Sequence, residues 1–274
     1  MHCNCRNQKL FDEVLCKLSS GLQAHWVDET SSTNDDVKTK IRAAEENVAV
    51  ALVADRQTAG RGTRGRRWES ADVSVLLSVG VALPEGTKNV SGLSLVAGAA
   101  CVEALRATNA AVRLKWPNDI WIRDGKAAGI LCEIVRNKKQ SMHAVVGIGV
   151  NICLDDAEIA ATDAPAAALL NRPVSEDDAE RLRIEVAAAL GAAVEKACAN
   201  FGAASLCALQ ARWPQLDAFS GRKVLLTSPA GQYLEGTVAG IGARGELLFA
   251  DASGQVRAYT DARIRPLAME KGKQ

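Results

Sequence analysis

Two apolar runs, 48–54 (VAVALVA) and 73–83 (VSVLLSVGVAL), set the first limits on this fold. Both are continuous and far shorter than the ~20 residues that span a bilayer, so they read as buried strands. The chain between them, Arg56–Asp72, is polar and rich in glycine, so a long loop joins the two.

Downstream, small and apolar residues recur at helical spacing from Ser91 to Thr108 (Leu93, Val96, Ala100, Leu105), which predicts a helix packed closely on a sheet. Val112–Trp116 reads as a short strand stopped by Pro117. Ile120–Arg123 and Lys126–Val135 flank Asp124-Gly125, a dipeptide typical of tight hairpins, which puts Lys126 at the start of the second strand. His143–Val150 is another strand, closing on Gly147, Gly149 and Asn151. Ser175 with Asp178 resembles a capping box, opening a helix to about Asn200 with an apolar stripe through Leu182, Val186, Leu190 and Val194. A further short helix ends near Trp213-Pro214. From Arg222 the pattern becomes short strands separated by glycine (KVLLT, YLEGTVAGI, ELLFA, VRAYT, RIRPL), a small all-β module with its boundary near Phe219. Strands first, helices later and a terminal β module predict an α+β domain, not a parallel βαβ repeat.

Composition limits the function classes. Lys and Arg total 33 against 32 Asp and Glu, so no global charge drives the chain to nucleic acid or membrane, and any basic site is local. The N-terminus, MHCNCRNQKL, lacks the apolar core of a signal peptide, and the expected location is the cytoplasm. None of the eight cysteines forms a C-x-x-C pair. Cys3 and Cys5 beside His2 suggest either a metal tether or, in better accord with the ~4 ligands of a zinc site, a frayed terminus.

The most informative segment is 55–68, DRQTAGRGTRGRRW. Gly60, Gly62 and Gly65 allow close backbone approach to a ligand, and four of the seven residues 61–67 are Arg. Guanidinium groups bind phosphate oxygens bidentately. No G-K-[ST] follows at Walker A spacing, and a strand rather than a helix follows, which removes the Rossmann reading. A phosphate cradle and a flexible or RNA-binding Arg/Gly patch both remain open on this segment alone. In 115–130 (KWPNDIWIRDGKAAGI), Lys126 stands beside Ala127, Ala128 and Gly129. A lysine at such a strand edge reaches a buried anion or, as is more usual, is simply exposed. GIGVN, 147–151, is by itself only a strand-to-loop junction.

Together, Ser32-Thr33-Asn34, Gln57–Trp68, Lys115–Asp119, Lys126–Gly129 and Gly147–Asn151 occur in the order and spacing seen in biotin–protein ligases, over about Val27 to Leu267. The terminal module, preceded by Arg212-Trp213 and Leu216-Asp217, fits as well. The resemblance implies an α+β fold with a mixed or antiparallel sheet flanked by helices, of the class II aminoacyl-tRNA synthetase/biotin ligase type, with a small C-terminal SH3-like β-barrel. It divides the chain into an N-terminal extension (1–24), a biotin/ATP-binding catalytic domain (25–218) and the C-terminal domain (219–270). The implied activity joins biotin to ATP as biotinyl-5′-AMP and passes biotin to a lysine of a biotin carboxyl carrier protein, with Mg²⁺.

By the same resemblance, Ser32, Thr33, Asn34, Gln57, Arg61, Gly62, Thr63, Lys126 and Gly129 contact biotin. Arg64, Arg66, Trp68, Asn118 and Asn151 contact ATP or the adenylate, with Asn118 the candidate metal contact. Lys126, Arg61 and Arg64 carry the charge chemistry, and Asp119 is the candidate acceptor of the carrier lysine's proton. Ser32–Asn34 also reads as a helix N-cap, which is compatible with binding. Only about twenty-five residues precede the matched region, fewer than the roughly 40 of an independent fold, so no specific DNA binding and no membrane contact are expected; a homodimer is compatible. A lipoate ligase, a biotin sensor without activity and a nucleic-acid module are the competing readings.

The chain departs from the pattern in two places. Many relatives carry Arg where Thr63 stands, and 152–170 is Ala-rich with no aromatic residue for adenine, leaving Ile159 as an aliphatic candidate. With one guanidinium fewer, dependence on Arg64 and Arg66 tightens. Arg64→Ala is expected to reduce both formation and retention of an acyl-adenylate; unchanged values in a single-turnover assay would overturn this.

Overall fold

The computed structural model describes residues 5–19, 21–68, 70–155, 158–159, 165–172 and 174–267. In it the two apolar runs become neighbouring antiparallel strands, β2 (Val50–Gln57) and β3 (Ser74–Ala82), with Val50 opposite Gly80 and Ala54 opposite Leu76. Residues 50–54 and 74–81 are buried throughout, because both faces of the sheet are covered. They belong to a seven-stranded sheet with β1 (Gln23–Thr30), β4 (Val112–Lys115), β5 (Asp119–Ile122), β6 (Gly125–Arg136) and β7 (Met142–Asn151), ordered β1-β2-β3-β7-β6-β5-β4. Only β1 and β2 pair in parallel, across the crossover helix α2 (Thr33–Ala43); the other pairs are antiparallel.

Helices cover the sheet unequally. Val37 and Ile41 of α2 pack on Val50, Leu52, Ala54, Val135 and Val145, one small apolar cluster on one face. The larger core on the other face is built from α1 (Cys5–Leu15), α3 (Leu93–Leu105) and α4 (Glu176–Ala199). α4 starts where the sequence predicts: the Ser175 side chain accepts the Asp178 N–H. Because α2 covers only part of its face, the rest of that face is open for a ligand.

Three local expectations are corrected. The terminus is not frayed from Cys5 onward, since Phe11 and Leu15 are fully buried and Phe11 meets Trp26 edge to face, ring centroids 5.5 Å apart; Cys3 lies outside the described residues. The β5–β6 turn is Arg123-Asp124, with Ile122 opposite Gly125 and Arg123 at φ 54°. Gly125 is instead already in β6, where a side chain would stand 2.6 Å from the Ala166 carbonyl oxygen. The second late helix, α5 (Ala203–Leu216), runs through Pro214. That proline lies in the last turn, where the missing N–H removes a single intrahelical bond.

The C-terminal module is a five-stranded antiparallel sheet of SH3-like type. It comprises β8 (Lys223–Thr227), β9 (Tyr233–Ile241), β10 (Leu247–Asp251), β11 (Val256–Tyr259) and β12 (Arg263–Pro266), ordered β11-β10-β9-β8-β12. Among the described residues its edge strands β11 and β12 do not pair to close a barrel. Its core residues, Val224, Leu226, Leu247 and Phe249 among them, are continuous with the large core. The Trp116 indole N–H donates to the Gly245 carbonyl at 2.9 Å, and Arg222 pairs with Asp124 at 2.8 Å. No helix among the described residues is long and apolar enough to cross a membrane.

Asp217, in the segment that joins α5 to this module, is 5% exposed. Burial pushes its carboxyl up to about 6, partly offset by the Phe219 N–H that it accepts at 3.1 Å. A folded-state value above the ordinary ~3.9 favours the protonated fold, so stability is lost as pH rises from about 4 through 6, by on the order of 2–3 kcal/mol. Asp217→Asn is therefore expected to be more stable than the parent at pH 7.5, by about 1–2 kcal/mol, with the gap closing near pH 4.5. Urea denaturation at the two pH values checks this; a gap that widens towards acid would contradict it.

Candidate active site

The open part of the α2 face is a cleft. It is floored by β3, β7 and β6 and roofed by the loop that leaves β2 at Gln57. Ser32, Thr33, Asn34, Gln57, Arg61, Gly62, Thr63, Arg66, Trp68, Asn118, Lys126 and Gly129 line it together, residues drawn from four separate stretches of chain. Arg64 and Asp119 line an adjoining, open cleft between the loop, the β4–β5 turn and the C-terminal module. The two clefts share Thr63, Arg66, Asn118, Ile130 and Leu131.

One end of the first cleft is polar and uncharged at its floor. Ser32 stands at the N-cap of α2 but makes no side-chain capping bond; the Gln57 Oε1 accepts the Thr33 N–H at 2.8 Å in its place. Ser78, fully buried on β3, lies 2.7 Å from the Thr33 hydroxyl and donates to Asn34 Oδ1 at 2.6 Å. The Asn34 Nδ2 in turn donates to Glu133 Oε2 at 2.7 Å, so both ends of that amide are fixed. Ser78 and Glu133 escaped the sequence reading. The available signal was a polar residue interrupting an otherwise apolar strand, VSVLLSVGV and GILCEIV.

A carboxylate pair bounds this end. Arg61 reaches Asp35 at 2.7 Å and Glu133 at 3.3 Å, and Lys38 reaches the same two at 2.8 and 2.7 Å. Burial works to raise both carboxyls. For Glu133 the hydrogen bonds of Lys38 and Asn34 with the charges of Lys38 and Arg61 outweigh it, and for Asp35 those of Lys38 and Arg61 do, holding both below the usual range.

The loop is a small hairpin. Gly62 N–H donates to the Arg66 carbonyl at 2.7 Å and Trp68 N–H to that of Gly60 at 3.0 Å. At its tip Arg64 adopts φ 60°, a left-handed conformation costing on the order of 1 kcal/mol for a residue with a side chain. Its guanidinium pairs with the Asp261 carboxylate and lies 3.3 Å from the Ala262 carbonyl oxygen, tying the loop to the C-terminal module. Trp68 lies across β6 and β7 where Gly129 pairs with Gly149. A side chain at 149 would come within 2.3 Å of the indole, and one at 147 within 2.4 Å of Asn34 Oδ1, which explains both glycines of GIGVN.

Lys126 lies at the cationic end, its ammonium 5.4 Å from the Trp68 ring centroid and 2.6 Å from Asp119 Oδ1. Lys115 takes the other carboxylate oxygen, Oδ2, at 3.2 Å. Burial acts to raise Asp119, but the two ammonium groups outweigh it and hold the carboxyl below its ordinary value. The Lys126 backbone is clamped by the Ala-rich stretch, with its N–H donating to Pro165 and its carbonyl accepting from Ala167 at 2.8 and 2.9 Å. Asn151 lines neither of these two clefts: its Nδ2 donates to the Ala167 carbonyl at 3.1 Å and holds the same stretch against β7. Ile159 is 45% exposed beside a separate groove along Ile122–Gly125.

Among the described residues no three His, Cys, Asp or Glu side chains gather as a metal site. Asn118, whose Nδ2 donates to the Ile130 carbonyl at 2.7 Å, directs one neutral amide at this region, and Asp119 is already shared by two lysines. This donor set suits a divalent ion carried by phosphate oxygens, not one caged by protein.

Residues 26–151 match the biotin/lipoate A/B protein ligase family. The bifunctional ligase/repressor BirA of Escherichia coli K12 is 32% identical over 232 residues, 84% of this chain and 70% of that protein. The biotin–[acetyl-CoA-carboxylase] ligase of Mycobacterium tuberculosis is 34% identical over 181 residues, 64% of this chain and 65% of that protein. Among solved structures, a mutant biotin protein ligase from Aquifex aeolicus in complex with biotin superposes with a TM-score of 0.69 at 25% identity, covering 89% of this chain and 99% of that one. The chain therefore belongs to the biotin–protein ligases of the biotin/lipoate A/B protein ligase family.

Proposed function

We propose that this chain activates biotin with ATP to biotinyl-5′-AMP and transfers the biotinyl group to a lysine of a biotin carboxyl carrier protein domain. The observation that carries the reading is the polarity of one cleft: a neutral hydrogen-bonding recess at Thr33, Asn34 and Gln57, and a cation, Lys126, at the other end. A ureido ring offers N–H donors and a carbonyl acceptor, whereas lipoate offers neither, so the recess favours biotin over the sister substrate.

In the first step a biotin carboxylate oxygen attacks the α-phosphorus, a new P–O bond forms, and the bond to pyrophosphate breaks. Lys126 neutralises the charge gathered where carboxylate meets phosphate, Arg64 and Arg66 meet the remaining phosphate oxygens, and Arg61 closes over biotin. Mg²⁺ would enter on the triphosphate and offset its charge, with the Asn118 amide as the protein contact. The roof, Gly60–Gly65, and Trp68 exclude water from the mixed anhydride. In the second step the carrier amine attacks the acyl carbon, the C–N bond forms, the C–O bond to AMP breaks, and Asp119 takes one of the two protons released, the other leaving with AMP or to water. Free thiols at Cys16, Cys101, Cys132, Cys153, Cys198 and Cys207 suit a reducing compartment, which supports the cytoplasm.

Purified protein is incubated with ATP, Mg²⁺ and either biotin or lipoate, and pyrophosphate and adenylate are followed by mass spectrometry. Biotinyl-adenylate is expected, with Lys126→Ala lowering its formation by about 10²- to 10³-fold. Adenylate from lipoate alone would move the chain to the sister activity. No adenylate from either acid would leave a binding role.

A further inference from the structure

The carboxylate beside Lys126 is shared, and the second sharer has no part in the reaction as derived above. Lys115 ends β4 directly opposite Asp119, which begins β5. Each ammonium holds a different oxygen of Asp119, Lys126 on Oδ1 at 2.6 Å and Lys115 on Oδ2 at 3.2 Å. The Asp119 side chain is 14% exposed and that of Lys115 15%, so neither charge is met chiefly by water. The Lys115 ammonium also lies 5.0 Å from the centroid of the Trp121 ring, which meets Phe219 edge to face. Lys115 lines the second cleft and not the first.

An anion in the first cleft, which Lys126 lines, competes with Asp119 for the Lys126 ammonium. With a single counter-ion, a buried carboxylate would be left uncompensated by the loss of Lys126, at a cost of several kcal/mol in comparable buried pairs. Two counter-ions change this. When Lys126 leaves, Lys115 still neutralises the carboxylate, and the departing ammonium pays only for its own half of the contact. We propose that Lys115 is a positioning residue: as the standing counter-ion of Asp119, it sets how readily Lys126 is released to the biotin carboxylate and phosphate. The inference rests on the reading that Lys126 serves biotin adenylation.

The arrangement makes an unusual prediction about paired substitutions. Lys115→Met leaves Asp119 leaning on Lys126 alone and is expected to slow biotinyl-adenylate formation about 10- to 100-fold at saturating biotin and ATP. Lys115→Arg, which keeps the charge, is expected to stay within ~3-fold of the parent. Adding Asp119→Asn to Lys115→Met removes the anion that traps Lys126, so the double variant should recover most of the lost adenylation rate. A purely structural role would make the double variant no better than the single one. Biotin binding by calorimetry, through a recess that Lys115 does not line, reports whether each variant is folded. Adenylation by Lys115→Met at the parent rate, or a double variant no faster than Lys115→Met in folded protein, would overturn the inference alone. A parent protein that forms no adenylate would overturn the ligase reading and the inference with it.

Discussion

Everything at the site depends on the close pairing of β6 with β7, Gly129 opposite Gly149 and Leu131 opposite Gly147. Without side chains at 129, 147 and 149 the sheet offers a shallow trough in an otherwise filled face. Trp68 occupies the trough from the loop side, and Asn34 abuts it from α2. Substituting any ordinary residue would close the trough before a ligand could enter, since protein interiors have no spare volume to yield. The same pairing carries Lys126 on one strand and Asn151 at the end of the other, and both then grip the Ala-rich stretch 165–169.

Charge at the site is arranged as cations restrained by carboxylates. The chain is close to neutral overall, yet Arg61, Lys115, Lys126 and Arg64 line two clefts, with Lys38 beside Arg61 on the same carboxylates. Each is held by an acidic group: Asp35 and Glu133 for Arg61 and Lys38, Asp119 for Lys115 and Lys126, Asp261 for Arg64. Unpaired, such a cluster would repel itself and destabilise the loop. Paired, it is stable and poised, because a phosphate or carboxylate ligand needs only to exchange partners with groups already oriented. Arg64 extends this logic to the C-terminal module, where its partner Asp261 sits.

Much of the plan was legible in the residues. Continuous apolar runs gave β2 and β3, the capping serine Ser175 gave the start of α4, and glycine punctuation gave all five strands of the terminal module. The motifs named nearly all the groups that line the first cleft. What was illegible shared one cause, contact at long range. The sequence around β1 and α1 is too polar to advertise a strand and a packed helix, and both are held by partners such as Trp26 and Asp55, joined at 3.0 Å across 29 residues. Gly125 read as a turn residue because nothing local signals that Ala166 presses against it.

The sequence by itself determined the chemistry on offer: an arginine–glycine loop, a lysine among small residues, hydroxyl and amide groups at a helix start, and the family in which that order occurs. Covalent order and residue type suffice for this, since they fix which functional groups exist and how the chain between them is patterned. Tertiary structure decided which of those groups share a cleft and which hold it together. It put Asn151 to work as a clamp, made Ser78 and Glu133 the fixed frame of the polar recess, and divided one carboxylate between Lys115 and Lys126. These assignments depend on strand register and burial, quantities set by the packing of residues far apart in the chain, and no local pattern encodes them.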